Sequence, residues 1–323
     1  MKNILKAAAV LLTLAAATTT PAQTPWPKAQ PIRLVVPASP GGSLDALTRP
    51  LAVQLGQLLG QTVVVENRGG AGGVLGADLV AKAPADGYTF LMGAVHHAIA
   101  AGVYPKMPYD SAADLVGVAH IGTVPNMVVV NEQVPARTLA EFVAWAKANP
   151  GKANYATGGA GTLHHLSTEM FKARAGIFVV PIHYRGSGPA ITDLIANSVQ
   201  VMFETMPAAA VQVRAGKLRP LAVTSLQRSA AFPAVPTVAE SGYPGFEATT
   251  WYGVMASAKT PPTTVRAMNE AVNAVLRNEA IAAAWRNLGV EATPMPPERM
   301  QAFWLGEIKR WGDIARANKV ALE

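Results

Sequence analysis

Short apolar runs alternate with segments of helical period along most of this chain, and that alternation limits its fold more than any other feature. Residues 32–36, 62–66, 88–92, 127–130, 178–180, 199–203 and 218–223 read as strands, because each is short, rich in β-branched residues and bounded by turn formers. Between them, Leu44, Leu47, Leu51, Leu55 and Leu58 recur at spacings of 3, 4, 4 and 3. That spacing sets them on one face of a helix capped by Ser43 and Asp45, as core residues. Further helices are expected over 73–82, 139–149, 163–175, 189–197, 262–278 and 297–318. Strand, helix, strand in repeated order predicts an α/β protein with mostly parallel sheets flanked by helices. With 50% hydrophobic and 15% charged residues among 323, the chain can fill one large core or two ordinary ones, so two domains are expected.

The first residues read as an export signal. Lys2 and Lys6 precede a run from Ala7 to Ala17 in which Thr13 is the only polar member, and Thr20-Pro21-Ala22 supplies small residues for a peptidase. Cleavage is expected near Ala22 or Gln23, which makes residues 1–22 a signal peptide. The apolar run is too short to span a bilayer. The chain has no cysteine, so a lipid anchor on a cleaved cysteine, disulfides, thiolate metal sites and cysteine nucleophiles are all excluded. The mature chain is therefore expected to be soluble in the periplasm of a Gram-negative bacterium.

Loss of residues 1–22 removes two lysines and no acid, which lowers the formal charge from +7 to +5. The remaining basic residues are scattered, with no aromatic-interleaved basic stripe, so no nucleic-acid partner is expected. A mild positive balance suits a small anionic ligand better. No G-x-S-x-G elbow, P-loop, H-E-x-x-H or kinase signature occurs. The six histidines, His96, His97, His120, His164, His165 and His183, offer no convergent set of metal donors. Neither a metal nor a cofactor is expected. His96 and His165 stand out because they lie in or beside candidate ligand loops; the other histidines are expected in ordinary polar contacts.

Ligands of α/β sheets sit beyond the carboxyl ends of the strands. Three glycine-bearing loops occupy such places. The first, Pro37-Ala38-Ser39-Pro40-Gly41-Gly42-Ser43-Leu44-Asp45, opens a helix, and glycines let its backbone and helix N-terminus approach an anion. A plain tight turn capped by Asp45 would look the same. The second, Asn67-Arg68-Gly69-Gly70-Ala71-Gly72-Gly73, misses the dinucleotide fingerprint and suits close packing of helix on strand. The third, Ala156-Thr157-Gly158-Gly159-Ala160-Gly161-Thr162-Leu163-His164-His165, repeats the logic of the first, and the two facing each other would form a clamp.

These residues carry a resemblance. Pro31-Ile32-Arg33-Leu34-Val35-Val36-Pro37 leading into Pro40-Gly41-Gly42-Ser43-Leu44-Asp45, then Val65-Glu66-Asn67-Arg68 and Ala85-Asp86-Gly87-Tyr88, are similar to the Bug family of tripartite tricarboxylate transporter receptors, also called TctC. So are Tyr184-Arg185-Gly186-Ser187-Gly188-Pro189-Ala190, Val235-Pro236-Thr237-Val238-Ala239-Glu240-Ser241-Gly242, Thr250-Trp251-Tyr252-Gly253 and Trp311-Gly312. The resemblance implies a two-lobed periplasmic binding protein of Venus-flytrap type that closes on a carboxylated solute and hands it to a membrane permease. It implies a first lobe of residues 23–125 and 237–323 and a second lobe of 126–236. The chain would cross near Val124-Pro125-Asn126 and again between Ser225 and Pro236. A monomer without cofactor is expected. The ligand could be a di- or tricarboxylate, an amino acid or an aromatic acid. A ligand-sensing partner of a membrane sensor kinase, or an exported enzyme, would be the alternatives.

Carried over residue by residue, the resemblance implies Ser39, Gly41, Gly42 and Asp45 as first-lobe ligand residues, with the Gly93-Ala94-Val95-His96 loop beside them. The second-lobe set is Thr157, Gly158, Gly159, Gly161 and Thr162, with Tyr184, Arg185, Ser187 and Glu204. The family usually has Asp where Gln200 and Glu204 stand, Lys where Arg185 stands, and small polar residues where His96-His97 stand. Arg185 is expected to fork onto a carboxylate and His96 to tune selectivity.

Overall fold

The computed structural model describes residues 26–104 and 106–317; the expected signal segment lies outside them. In chain order the elements are β1 (Ile32–Val36), α1 (Ser43–Leu59), β2 (Val63–Asn67), α2 (Val74–Ala81), β3 (Thr89–Ala94), α3 (Val95–Val103) and β4 (Leu115–Asn131). There follow α4 (Leu139–Ala148), β5 (Asn154–Thr157), α5 (Leu163–Ala175), β6 (Val180–His183), α6 (Ser187–Ile195), β7 (Val201–Thr205), α7 (Met206–Arg214) and β8 (Leu218–Val223). The chain ends with β9 (Thr249–Ser257), α8 (Pro262–Leu276), α9 (Glu279–Asn287), β10 (Glu291–Ala292) and α10 (Pro297–Ala317).

The strands form one curled sheet in the order β2-β1-β3-β9-β4-β7-β5-β6, with β8 and β10 also paired to β4. Parallel pairing holds in the outer parts, where β1 lies beside β2 and β3, and β5 beside β6 and β7. The centre is antiparallel, so the sheet is mixed. The cause is one long strand that changes partner: β4 pairs with β9 as far as Pro125 and with β7 from Asn126 onward, and so joins the two parallel portions of the sheet. Pro125 has no N–H to give a ladder. Asn126 re-anchors the strand by donating its backbone N–H to Thr224 Oγ1 at 2.8 Å and its amide to the Phe203 carbonyl at 3.2 Å.

Both faces of the sheet are covered, so strand side chains divide by alternation. Leu34, Phe90 and Val254 enter a core with Leu47, Met268 and Trp285, whereas Val35, Leu91 and Met255 enter another with Ile99, Phe142 and Trp304. The leucine stripe of α1 is core through Leu55, but Leu58 is exposed and Leu59 packs in its place at the last turn. Nor do Ser43 and Asp45 cap α1: its N-cap is Gly42, with no side-chain cap.

The carboxyl-terminal helix is tied to the first lobe by a buried carboxylate. Glu307 Oε2 accepts the indole N–H groups of Trp251 and Trp311, at 2.9 and 3.1 Å, and Oε1 accepts from Arg310 at 3.2 Å. Where α10 crosses α3, a Cβ on Gly102 would lie 2.8 Å from Gly312 Cα, so two glycines allow the backbones to touch. Replacing Glu307 by Leu strands two buried indole donors and should cost about 1–3 kcal/mol for each one left unpaired. Glu307→Gln, which keeps one acceptor, should cost less. Urea unfolding followed by tryptophan fluorescence measures both, and parental stability in Glu307→Leu would show that the tie contributes nothing.

Candidate functional site

Five strands of the two lobes run directly or through short loops into helices whose N-termini converge. The N-cap residues of α1, α3, α5, α6 and α7, namely Gly42, Ala94, Thr162, Gly186 and Thr205, all line one cavity. None of the five makes a side-chain cap bond. Helix N-termini present unpaired N–H groups and partial positive charge. No Lys, Arg, Asp or Glu lines the cavity, whose walls otherwise come from small and apolar residues such as Pro37, Ala38, Leu44 and Leu163, with Tyr252 and two histidines. The cavity encloses about 50 Å³, room for a few waters. A larger guest requires the loops to part.

The loops touch one another directly across the cleft. Ser39 donates from both its backbone N–H and its hydroxyl to the Arg185 carbonyl, at 3.0 and 2.6 Å. The Tyr104 hydroxyl donates to the Ala160 carbonyl at 3.2 Å. Deeper in, Ser43 Oγ lies 2.6 Å from Thr205 Oγ1 and accepts the Ala208 N–H at 2.9 Å. Contact this close depends on missing side chains: a Cβ on Gly188 would fall 1.9 Å from the Pro40 carbonyl oxygen, and one on Gly159 would fall 3.1 Å from Gly72 Cα.

Several residues expected from the sequence shape these loops from behind. Asp45 is buried and accepts from Gly41 N–H at 3.2 Å, from Arg49 at 2.7 and 2.9 Å and from Asn67 at 3.0 Å. Burial alone would raise its pKa; the bonds from Arg49, Asn67 and Gly41 prevail and hold it below the usual carboxylate range. Gly41, at φ 87, is thereby fixed in the left-handed region. In the second lobe, Thr157 Oγ1 lies 2.8 Å from His183 Nδ1 and accepts the Gly159 N–H at 3.1 Å, while the Thr162 hydroxyl donates to the Gly159 carbonyl at 2.7 Å. Gly161, at φ 76, completes that turn. The Tyr184 hydroxyl turns away to Asp193, 2.6 Å distant.

Of the expected set, Gly42, His96, Gly158, Thr162 and Ser187 line the cavity. Ser39 and Gly41 lie at the closure, and Arg185 takes part in it through its carbonyl while its side chain is exposed. The Gly93–His96 segment is no loop, for β3 passes straight into α3. His97 Nδ1 accepts the Ala94 N–H at 3.1 Å. Burial pushes His97 down to about 4 and, with His97 and His164 as neighbours, pushes His96 well below 6.5, so both rings are neutral near pH 7. Sequence reasoning singled out His165, but His164 lines the cavity and His165 packs edge-on to His183. A helix turns about 100° per residue, so adjacent positions face differently. Ser43, Thr205 and Tyr252 also line the cavity; the sequence hinted at them only through the motifs that contain or adjoin them.

Glu204, fully buried, lies behind this lining. Oε1 accepts from Ser187 Oγ at 3.1 Å, Thr205 N–H at 2.8 Å and Thr205 Oγ1 at 2.7 Å, and His164 Nε2 stands 3.4 Å away. Burial raises its pKa, but His164, Thr205 and Ser187 outweigh burial and hold the carboxyl below the usual range.

The family model described as "Tripartite tricarboxylate transporter family receptor" matches residues 47–320. The chain is 41% identical over 297 residues to Protein BugT of Bordetella pertussis, covering 91% of each chain. Among solved structures, R. palustris Rpa4515 with adipate has a TM-score of 0.87 at 37% identity, over 92% of this chain and 99% of that one. MatC (Rpa3494) from Rhodopseudomonas palustris with bound malate has a TM-score of 0.84 at 29% identity, over 89% of this chain and 99% of that one.

Gly188 tests whether the closed arrangement is the one that grips a ligand. Alanine there collides with the Pro40 carbonyl only when the loops meet. Away from that contact it should stabilise α6 by about 0.5–1 kcal/mol. Gly188→Ala should therefore melt no lower than the parent yet bind its ligand about tenfold or more weakly. Calorimetry showing parental affinity would mean that closure at this point is not needed for binding.

Proposed function

The chain belongs to the tripartite tricarboxylate transporter receptor family, and we propose that it captures a carboxylated small molecule between its lobes in the periplasm and delivers it to a permease of that transporter type. One observation carries the reading: five helix N-termini meet around a cavity lined by no charged Lys, Arg, Asp or Glu. Backbone N–H groups and helix dipoles suffice to hold a carboxylate. Adipate in Rpa4515 and malate in MatC are both carboxylates and support the ligand class. Delivery to a permease, and export by a cleaved segment 1–22, follow the family's description and the signal-like N-terminus.

The ligand set we propose is Gly42, His96, Gly158, Thr162 and Ser187, with Ser39, Gly41, Gly159, Gly161 and Arg185 at the closure and Ser43, His164, Thr205 and Tyr252 added, while Asp45, Thr157 and Glu204 support it from behind and Tyr184 turns to Asp193. The lobes would hinge where β4 changes partner at Pro125 and Asn126. We put the second crossing at the start of β9, beyond the Ser225–Pro236 segment expected from the resemblance, and the packing of Tyr243 and Phe246 on Phe171 supports that choice. Capture without chemical change should appear as ligand-induced stabilisation, about 2.7 kcal/mol at 100 times the dissociation constant. A melting screen of the mature protein against mono-, di- and tricarboxylates, amino acids and aromatic acids should yield at least one hit that is recovered unaltered. No shift with any acid, or consumption of the hit, would end the receptor reading.

A further inference from the structure

We infer that the acid this receptor takes carries its carboxylate against the first lobe and meets the second lobe with a hydrogen-bond donor, an ammonium, amide or hydroxyl group, so that it is not a plain dicarboxylate. This narrows the ligand class of the proposed function and rests on it.

The second-lobe wall is polarised by a charge the ligand does not touch. Glu204 lies behind Ser187, Thr205 and His164, which all line the cavity. An ionised carboxylate only accepts hydrogen bonds. Ser187 and Thr205 therefore turn their hydroxyl protons toward Glu204 and offer the cavity lone pairs. Thr205, its proton spent, can only accept from Ser43 across the 2.6 Å contact, so the Ser43 proton points the same way. His164 Nδ1 accepts the Gly158 N–H at 3.2 Å, which leaves the ring proton on Nε2, the atom nearest Glu204. The phenol of Tyr252, beside Thr205 and Ser43, completes that end of the cavity. Glu204 Oε2 has no hydrogen-bond partner among the described residues, so the buried charge is not fully met.

The same carboxylate occupies the positive ends of two helices. It accepts the N–H of Thr205, the N-cap of α7, and the hydroxyl of Ser187, the first residue of α6. In the first lobe the only acid in the first turn of α1, Asp45, is paired with Arg49 through two hydrogen bonds, and α3 has no acid in its first turn, so these N-termini are where a ligand's carboxylate gains most. A second carboxylate at the Ser187 and Thr205 wall would meet like charge in a poorly screened cavity that no Lys or Arg lines. A donor there would instead meet lone pairs backed by negative charge.

The decisive measurement is calorimetry on the mature protein with matched acids: adipate, 6-aminohexanoate and 6-hydroxyhexanoate, and the four-carbon set of succinate, 4-aminobutanoate and 4-hydroxybutanoate. At about pH 7.5 every carboxylate is ionised. Within any length that binds, the amino or hydroxy acid should bind about tenfold or more tightly than the diacid. Glu204→Gln, with melting checked, should shrink or reverse that preference, because its amide can itself donate. A diacid that binds as tightly as its amino and hydroxy partners overturns the inference and leaves the receptor reading intact. If Glu204→Gln folds and keeps the parental ranking, the inference also falls. Absence of binding by every acid tells against the receptor reading itself. Should Glu204→Gln not fold, the parental ranking alone decides.

Discussion

Everything about the site depends on one strand being shared. Because β4 pairs with β9 up to Pro125 and with β7 beyond it, two lobes are hung on a continuous backbone. In each lobe the parallel strands beside it end at the cleft and pass into helices there. A separate sheet in each lobe, joined by flexible linkers, would leave the five helix N-termini with no fixed relation. The hinge proposed for this ladder lies at its middle, where a proline interrupts the N–H pattern and Asn126 supplies replacement bonds.

That geometry would let the cavity take the proposed carboxylate without a lining lysine or arginine. Long cationic side chains lose rotamer freedom when they grip a ligand, whereas helix N–H groups are already held by the fold. Their attraction fades within the first turn, so the ligand must reach the backbone itself. Glycine at 42, 158 and 186 and the near contact of Gly188 with Pro40 provide that approach. Asp45 and Thr157, which the resemblance implies as ligand residues, accept the N–H groups of Gly41 and Gly159 and hold the glycine loops in shape.

The parts of the fold legible in the sequence were those whose pattern is local. The leucines of α1 and the apolar run of β1 stand out because they are buried almost throughout, and Val201-Met202-Phe203 of β7 is buried likewise, whereas β2 stands out by its three valines alone, being an edge strand with Val64 exposed. The central strands were harder to read. The first part of β4 carries Gly117, His120, Gly122, Thr123 and Pro125, and β9 carries Thr249, Thr250 and Gly253, which break the apolar run although both strands are central. Their strand character comes from partners far away in sequence. The loops that line and close the cavity were legible through their glycines and the resemblance. The choice between His164 and His165 was not, since it depends on the rotation at which α5 begins.

Glu204 shows how a buried charge can be tolerated and put to use. Placing a carboxylate in a dry interior costs heavily unless donors surround it, and here Ser187, Thr205 and His164 approach one of its oxygens. Those same groups form the cavity wall, so the bonds that stabilise the charge also fix which way their protons point. A neutral residue would leave the hydroxyls free to rotate toward either kind of guest. With the carboxylate in place, reorienting a hydroxyl means breaking a charge-assisted bond, a cost of about 1.5–3 kcal/mol. For the ligand proposed above, selectivity at this wall would be set by a residue that the ligand does not touch, and the sequence could show no more than that Glu stands where Asp is usual.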